Sequence, residues 1–155
     1  MNKVTKFIGA VGVCFVAAGL GSIATFSQIP TWYMTIAKPE WNPPSWLFGP
    51  VWTVLYLLMA VSLYLLLTSK KKNIAKAINF FYLQLILNVL WSWIFFGWHQ
   101  IGFALAEIIA LWISILATII YANKVSKTAG WLLVPYILWV SFAGYLNYTI
   151  WLLNK

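Results

Sequence analysis

The sequence predicts an all-α membrane protein, a bundle of five transmembrane helices with an ordered, lid-like first loop. Of its 155 residues, 63% are hydrophobic and 8% are charged, whereas about 25% of the residues in a soluble domain are charged. The apolar residues are gathered into stretches of about 20, the length of a helix that crosses a bilayer. Helices are expected because an open spanning segment must satisfy its own backbone hydrogen bonds in lipid.

The five predicted spans cover most of the chain, and we expect a single transmembrane domain over residues 1–155. The spans lie at about 6–28, 46–68, 78–98, 101–123 and 130–153. Lys3 and Lys6 precede the first span, as in a signal peptide. Its apolar run is long for such a peptide and no clear cleavage site follows, so we expect it to remain as a span.

The lysines predict the orientation of the spans. Eight of them fall on the side that holds the N-terminus: Lys3, Lys6, Lys70, Lys71, Lys72, Lys76, Lys124 and Lys127. Lys38 and Lys155 fall on the other side. The positive-inside rule then predicts a multi-pass protein of a bacterial cell membrane with a cytoplasmic N-terminus. The net charge of +8 does not indicate nucleic-acid binding, because the lysines lie at the ends of apolar runs and form no basic face.

The stretch that joins the first two spans is rich in rigid and aromatic residues. "KPEWNPPSWLFGPVW", residues 38–52, holds three tryptophans and four of the six prolines. Proline disfavours helix and lowers the entropy cost of ordering a loop. Trp41 and Trp46 supply apolar area that can hold the loop against the bundle. We therefore expect residues 30–45 to form a lid over the mouth of the bundle.

Three spans carry polar and aromatic residues at helical spacing. These faces are Trp52, Tyr56 and Met59; Gln84, Asn88 and Trp91; and Trp139, Phe142, Ala143 and Leu146, with Asn147 alongside. The indole of Trp139 is predicted near mid-membrane, where its N–H needs a partner on a neighbouring helix or in a ligand. The depths run from Trp52 near the lid to Trp139 near the middle, so the three faces are expected to line one cavity.

Small residues recur at every fourth position in two spans. The members are Gly102, Ala106, Ala110, Ser114, Thr118 and Ala122 in the fourth span, and Ala10, Cys14, Ala18 and Ser22 in the first. Such stripes let helix backbones approach closely. The spacing is compatible with contacts inside one monomer and with a dimer seam, and it does not distinguish them.

Two further polar residues bear on function. Glu107 is the only acidic residue inside a span, and we expect a structural hydrogen bond there, with proton or ion coupling as the alternative. No second acid lies in a span to pair with it, which argues against a proton-driven pump. His99 is the only histidine and is expected in a solvated turn, so neither a metal site nor haem ligation is predicted.

Four segments carry a family resemblance: "WYMTIAKPEWNPPSWLFGPVWTVLY" (32–56), "QLILNVLWSWIFFG" (84–97), "GFALAEIIAL" (102–111) and "LLVPYILWVSFAGYLNY" (132–148). They resemble the tryptophan-rich sensory protein family, also called the translocator protein or peripheral benzodiazepine receptor family, in a bacterial form. The resemblance implies a five-helix bundle, commonly dimeric, with a ligand cavity closed by the first loop. It also implies binding of porphyrins such as protoporphyrin IX, and of isoquinoline carboxamides and benzodiazepines, and a link to the stress response.

Carried over by position, the resemblance implies a ligand site at Tyr33, Pro43, Trp52, Asn88, Trp91, Trp139, Phe142, Ala143 and Leu146. Trp52 and Trp139 resemble the tryptophans implicated in porphyrin chemistry, and they are the candidate catalytic residues if porphyrin is degraded. No resident cofactor is expected.

The expected function is therefore a membrane binding and sensor protein for flat lipophilic ligands. Photo-oxidative porphyrin degradation, tetrapyrrole transport and a purely structural scaffold remain alternatives. The sequence shows no nucleophile–base pair or cofactor loop of a conventional enzyme. It also shows no inverted repeat of the kind on which many transporters are built.

Overall fold

The computed structural model describes residues 2–71 and 74–155, and over these residues the chain forms five long helices. The long helices are α1 (Lys3–Phe26), α3 (Phe48–Thr68), α4 (Ala75–Ser92), α5 (Ile101–Val125) and α7 (Val134–Leu153). The short elements are α2 (Trp32–Thr35), a 3-10 turn (Ser45–Leu47), a π-helical segment (Trp93–Gly97) and α6 (Lys127–Trp131). Together they give five apolar stretches long enough to cross a membrane, which confirms the predicted fold class.

The bundle has two ends, which we name by their contents. The lid end holds the C-terminus, residues 98–100 and residues 27–44. We call residues 27–44 the lid. The lysine end holds the start of α1 and the connections that follow α3 and α5, where Lys71 Nζ donates to the carbonyl of Lys124 at 2.7 Å. Lys72, part of the predicted lysine cluster, lies outside the described residues.

The core runs along the centre of the bundle, where α5 packs against α4 and α7. The bulkiest fully buried side chains come from four helices: Met59, Leu63, Phe81, Leu111 and Tyr136. A bilayer leaves little hydrophobic gain from joining helices, so their close packing depends on dispersion contacts and on small residues. The small-residue stripes serve this purpose only in part.

The small residues of both stripes are buried near the lysine end of the bundle and exposed near the lid end. Their buried members are Ala10, Cys14, Ser114, Thr118 and Ala122. Their exposed members include Ser22, Ala106 and Ala110. Contacts inside the monomer therefore account for the half of each stripe that lies near the lysine end.

Helix α1 changes its partner along its length. Near the lysine end it packs on α3, where the rings of Phe7 and Tyr64 meet edge to face at 5.5 Å. Toward the lid end it lies against α4 and the π-helical segment, and Trp93 Nε1 donates to the carbonyl of Leu20 at 3.1 Å. The lid-end half of α1 thus has neighbours, α4 and the π-helical segment, that its first turns do not share.

The π-helical segment widens the last turn of α4. The N–H of Trp98 donates to the carbonyl of Trp93, five residues back, at 2.7 Å. Such wide turns re-aim the side chains around them, and here Phe95 and Phe96 are buried under the lid. The connection that follows includes His99 in the left-handed region, with a φ of 56°, a conformation that is uncommon for residues other than glycine.

Candidate functional site

A cavity of about 280 Å³ lies between the helices beneath the lid. Its wall comes from α1, α3, α4, the π-helical segment and α7, and the lid contributes Ile29 and Tyr33. Eight of the predicted site residues lie in this wall: Tyr33, Trp52, Asn88, Trp91, Trp139, Phe142, Ala143 and Leu146. Pro43 lies in the lid instead, where its carbonyl accepts a hydrogen bond from Asn42 Nδ2 at 3.0 Å, and it does not line the cavity.

Asn88 links three helices at the bottom of the cavity. The phenol O–H of Tyr56, on α3, donates to Asn88 Oδ1 at 2.8 Å. Asn88 Nδ2, on α4, donates to the phenol oxygen of Tyr136, on α7, at 2.7 Å. Tyr136 is fully buried, so this hydrogen bond replaces one that water would otherwise make. Asn88 therefore links α3, α4 and α7 through hydrogen bonds, whereas the sequence predicted it only as a residue that contacts the ligand.

Trp91 is also engaged by the protein. Its Nε1 donates to Asn147 Oδ1 at 3.1 Å, and Asn147 Nδ2 donates to the carbonyl of Ile101 at 3.0 Å. The Trp91 ring stacks on Phe95 with 5.2 Å between ring centroids. The ring can therefore offer its remaining face to a ligand, while its N–H is already used.

Trp52 and Trp139 differ from Trp91 because neither indole donates a hydrogen bond to any residue that the structure describes. Both side chains line the cavity. By contrast, Trp112, another tryptophan near mid-membrane, donates to Ser141 Oγ on the neighbouring helix at 2.8 Å. The sequence left two partners open for the N–H of Trp139, a neighbouring helix or a ligand. Its position in the cavity wall, without a bond to a described residue, favours an acceptor on a ligand.

The lid is an ordered structure with its own internal hydrogen bonds. The phenol O–H of Tyr33 donates to Asn42 Oδ1 at 2.6 Å. Lys38 Nζ donates to the carbonyls of Tyr33 and Ile36 at 2.6 and 2.8 Å. Burial raises the pKa of the Tyr33 phenol to about 12, although the hydrogen bond with Asn42 acts in the opposite direction. The phenol thus stays protonated and keeps donating at neutral pH.

The end of α7 fastens the lid to the bundle. Asn154 Oδ1 accepts the N–H of Ala37 at 2.9 Å, and Asn154 Nδ2 donates to the carbonyl of Ala37 at 2.8 Å. The ring of Trp41 stacks on Tyr145 with 5.2 Å between centroids and 11° between planes. Trp46 is 71% exposed, so the expectation that it also holds the lid down is wrong, because it lies past the lid at the start of the second span.

A second fastening involves His99. Its ring stacks on Trp32 with 4.2 Å between centroids, and its Nε2 lies 2.9 Å from Gln28 Oε1. The histidine is exposed, as predicted for a solvated turn, and it also contacts the lid. Within residues 2–71 and 74–155, no group of three or more His, Cys, Asp or Glu side chains is placed to hold a metal ion.

The cavity is open along one side, between the lid-end halves of α1 and α3. Several of its wall residues are also exposed on the outer surface: Phe15, Ser22, Phe26, Gly49 and Thr53. We call these five residues the side opening. The contribution of α1 to the wall was not predicted, since that helix carries no polar-aromatic face that would have signalled it.

Glu107 lies outside the cavity wall. Both of its carboxyl oxygens are buried, and neither has a hydrogen-bond partner among the described residues. The expected structural hydrogen bond is therefore wrong for this part of the chain. The amide of Asn147, a polar group on the adjacent helix α7, already bonds Trp91 and Ile101.

Comparisons with known proteins identify the family of the chain. Residues 10–152 match the TspO/MBR family. The chain is 44% identical over 157 residues to the tryptophan-rich protein TspO of Chlorobaculum tepidum, covering 99% of both chains. It is 34% identical to the tryptophan-rich sensory protein of Cereibacter sphaeroides, covering 96% of this chain and 90% of that one. It is 37% identical to the translocator protein of Homo sapiens, covering 89% and 81%. These matches confirm the resemblance of the four segments, and the chain belongs to the TspO/MBR family.

Proposed function

We propose that the protein binds and senses flat lipophilic ligands in the cavity beneath the lid. The ligands we propose are chiefly porphyrins such as protoporphyrin IX, and also isoquinoline carboxamides and benzodiazepine-type compounds. The observation that carries the proposal is an aromatic wall that includes the two indole N–H groups of Trp52 and Trp139, which bond no described residue. Apolar walls with a few placed polar groups are typical of small-molecule sites.

The size of the cavity limits how a porphyrin can sit in it. Its volume of about 280 Å³ is near the lower limit of about 300 Å³ for ligand pockets. A tetrapyrrole ring is larger than this space. We propose that one part of the ring lies between the aromatic residues of α3, α4 and α7, and that the rest extends through the side opening.

The test is a titration of purified protein in detergent with protoporphyrin IX in the dark, followed by quenching of tryptophan fluorescence. Trp52→Phe and Trp139→Phe keep most of the aromatic area but remove the N–H. We expect each to weaken binding about three- to tenfold, the value of one hydrogen bond. Trp131→Phe is the matched control, because Trp131 is exposed and lies outside the cavity. No saturable quenching of the unmodified protein would rule out porphyrin as the ligand.

We propose porphyrin photo-oxidation as a second candidate function. It is favoured by the position of Trp52, whose ring lies within 5.8 Å of Tyr56 and 6.2 Å of Tyr136, measured between centroids. Such an electron-rich ring could donate one electron to a bound, light-excited porphyrin, which passes the electron to O2. The superoxide formed then adds to the porphyrin and the adduct returns one electron to the ring radical, so the net reaction is the addition of O2 to the porphyrin. The same titration in light separates the two functions. A new absorbing product that requires both Trp52 and Trp139 would support degradation, and bleaching at the rate of free porphyrin would support binding alone.

We also propose that residues 1–155 form one domain in a bacterial cell membrane, with the N-terminus in the cytoplasm. The lysine distribution supports this orientation. Single cysteines in place of Lys3 and Lys155, in a Cys14→Ser background, should show labelling of Lys155→Cys alone by a membrane-impermeant maleimide added to intact cells. Labelling of Lys3→Cys alone would reverse the orientation.

A homodimer is proposed on the surface of α1. Its glycines Gly9, Gly12 and Gly19 have no atom within 4 Å of where a Cβ would lie. They therefore offer a surface that a second helix could approach closely. Cross-linking in membranes through a cysteine at one of these positions should trap a dimer, and a monomer at every position would contradict the proposed surface.

A further inference from the structure

We propose that the ligand reaches the cavity sideways from the hydrocarbon of the bilayer, through the side opening between α1 and α3, and not from water through the lid. This inference rests on the proposed function, because it names the route and the class of ligand for the same cavity. The class is a thin, flat molecule that dissolves in lipid and can slide between two helices.

The route is the part of the cavity that lies between the lid-end halves of α1 and α3, both of which supply wall residues. Near the lysine end the two helices are in contact through Phe7 and Tyr64. At the lid end α1 is held on the π-helical segment by the hydrogen bond from Trp93 to Leu20. Phe15 and Phe26 belong to the cavity wall and are 39% and 85% exposed. The space beneath the lid is thus continuous with the surface of the bundle that faces lipid.

The rim of the side opening suits the passage of an apolar molecule. Ser22 and Gly49 have small side chains, which leaves room between the helices. Thr53 Oγ1 donates to the carbonyl of Gly49 at 2.9 Å, and Thr25 Oγ1 donates to that of Gly21 at 2.8 Å. Each threonine hydroxyl already donates to a carbonyl of its own helix. An apolar molecule that passes therefore leaves no hydroxyl without a hydrogen-bond partner and does not incur the cost of burying an unpaired polar group.

The lid offers a costlier route. A ligand that enters beneath it must separate Ala37 from Asn154 and Trp41 from Tyr145. The stack of Trp32 on His99 holds the other end of the lid. Each hydrogen bond or aromatic pair adds about 0.5–1.5 kcal/mol to the cost of opening. The side opening requires none of these contacts to break.

The experiment narrows the side opening without touching the lid. In Gly49→Leu, the new Cβ meets no atom within 4 Å, so a side chain can start there without displacing a neighbour, and it adds bulk to the α3 wall of the opening. Ser22→Leu narrows the opening from the opposite wall, as a second variant in case the first folds poorly. Val54→Phe is the matched control, because it adds bulk to an exposed side chain of α3, the helix that carries Gly49, and Val54 does not line the cavity.

The readout is the rate of tryptophan quenching when the protein in lipid vesicles is mixed with vesicles that carry protoporphyrin IX. We expect both narrowing variants to bind porphyrin at least about tenfold more slowly, because a block on the route raises the barrier to entry. The affinity should also fall, because part of the bound ring lies in the side opening, so the association rate is the quantity that reports the route. Val54→Phe should match the unmodified protein.

Two results would overturn the inference, and they differ from each other. Unchanged rates in both narrowing variants, with faster binding in a variant whose lid is loosened by Asn154→Ala, would place the route at the lid. No saturable quenching of the unmodified protein in vesicles or in detergent would overturn the proposed function itself, and the route with it.

Discussion

Replacing Asn88 by leucine is expected to destabilise the bundle by about 1–3 kcal/mol, since it removes two buried hydrogen bonds in a membrane protein. Tyr56 and Tyr136 would both lose their bond to Asn88. Tyr136 is fully buried, so no lipid or bulk water can replace the lost partner. The midpoint of thermal unfolding in detergent, followed by circular dichroism, should fall by several degrees.

A compensated variant tests the reason for this effect. In the triple variant Tyr56→Phe, Asn88→Leu, Tyr136→Phe, the polar groups are removed together and no hydroxyl is left without a partner. Removing both partners of a buried bond is often nearly neutral, so most of the lost stability should return. A single Asn88→Leu variant as stable as the unmodified protein would show that the network contributes nothing, and a triple variant less stable than the single one would point to packing instead.

Replacing Asn154 by alanine is expected to loosen the lid while the helices stay folded. Two hydrogen bonds to Ala37 are lost, which lowers the free energy of opening the lid by about 1–3 kcal/mol. The backbone N–H groups of Tyr33 and Asn42, which bond other parts of the lid, should exchange with deuterium about five to 100 times faster.

The control for this prediction is Asn2→Ala. Asn2 Oδ1 accepts the N–H of Thr5 at the start of α1, so the variant removes a side chain that caps a helix at the opposite end of the bundle. It should leave lid exchange unchanged. Exchange in the Asn154→Ala variant equal to that of the unmodified protein would show that the contacts of Trp41 and His99 hold the lid without the hydrogen bonds of Asn154.

Helical periodicity was enough to predict most of the cavity wall. Trp52, Asn88 and Trp139 lie on faces whose depths could be compared, because each helix rises by a fixed distance per residue. Residues of one face must point the same way whatever their partners are. The prolines of the first loop likewise indicated an ordered lid, since they restrict the backbone before any contact forms.

What escaped prediction depends on contacts between distant parts of the chain. Ala37 and Asn154 are 117 residues apart, and no local pattern indicates that they meet. The face of α1 that joins the wall includes Ala18 and Ser22, which the sequence placed in a small-residue stripe typical of helix–helix contact and not of a cavity wall. Trp41 and Trp46 look alike in sequence, and only the path of the chain decides which of them packs on Tyr145.

A cavity with an opening on its membrane-facing side shares its contents with the bilayer. For a ligand dissolved in lipid, the concentration that matters at Phe15 and Gly49 is the number of ligand molecules per lipid molecule, not the amount per litre of buffer. Added lipid then dilutes the ligand even when its total amount is constant. An affinity measured in detergent and one measured in vesicles become comparable only after both are expressed as mole fractions of the apolar phase.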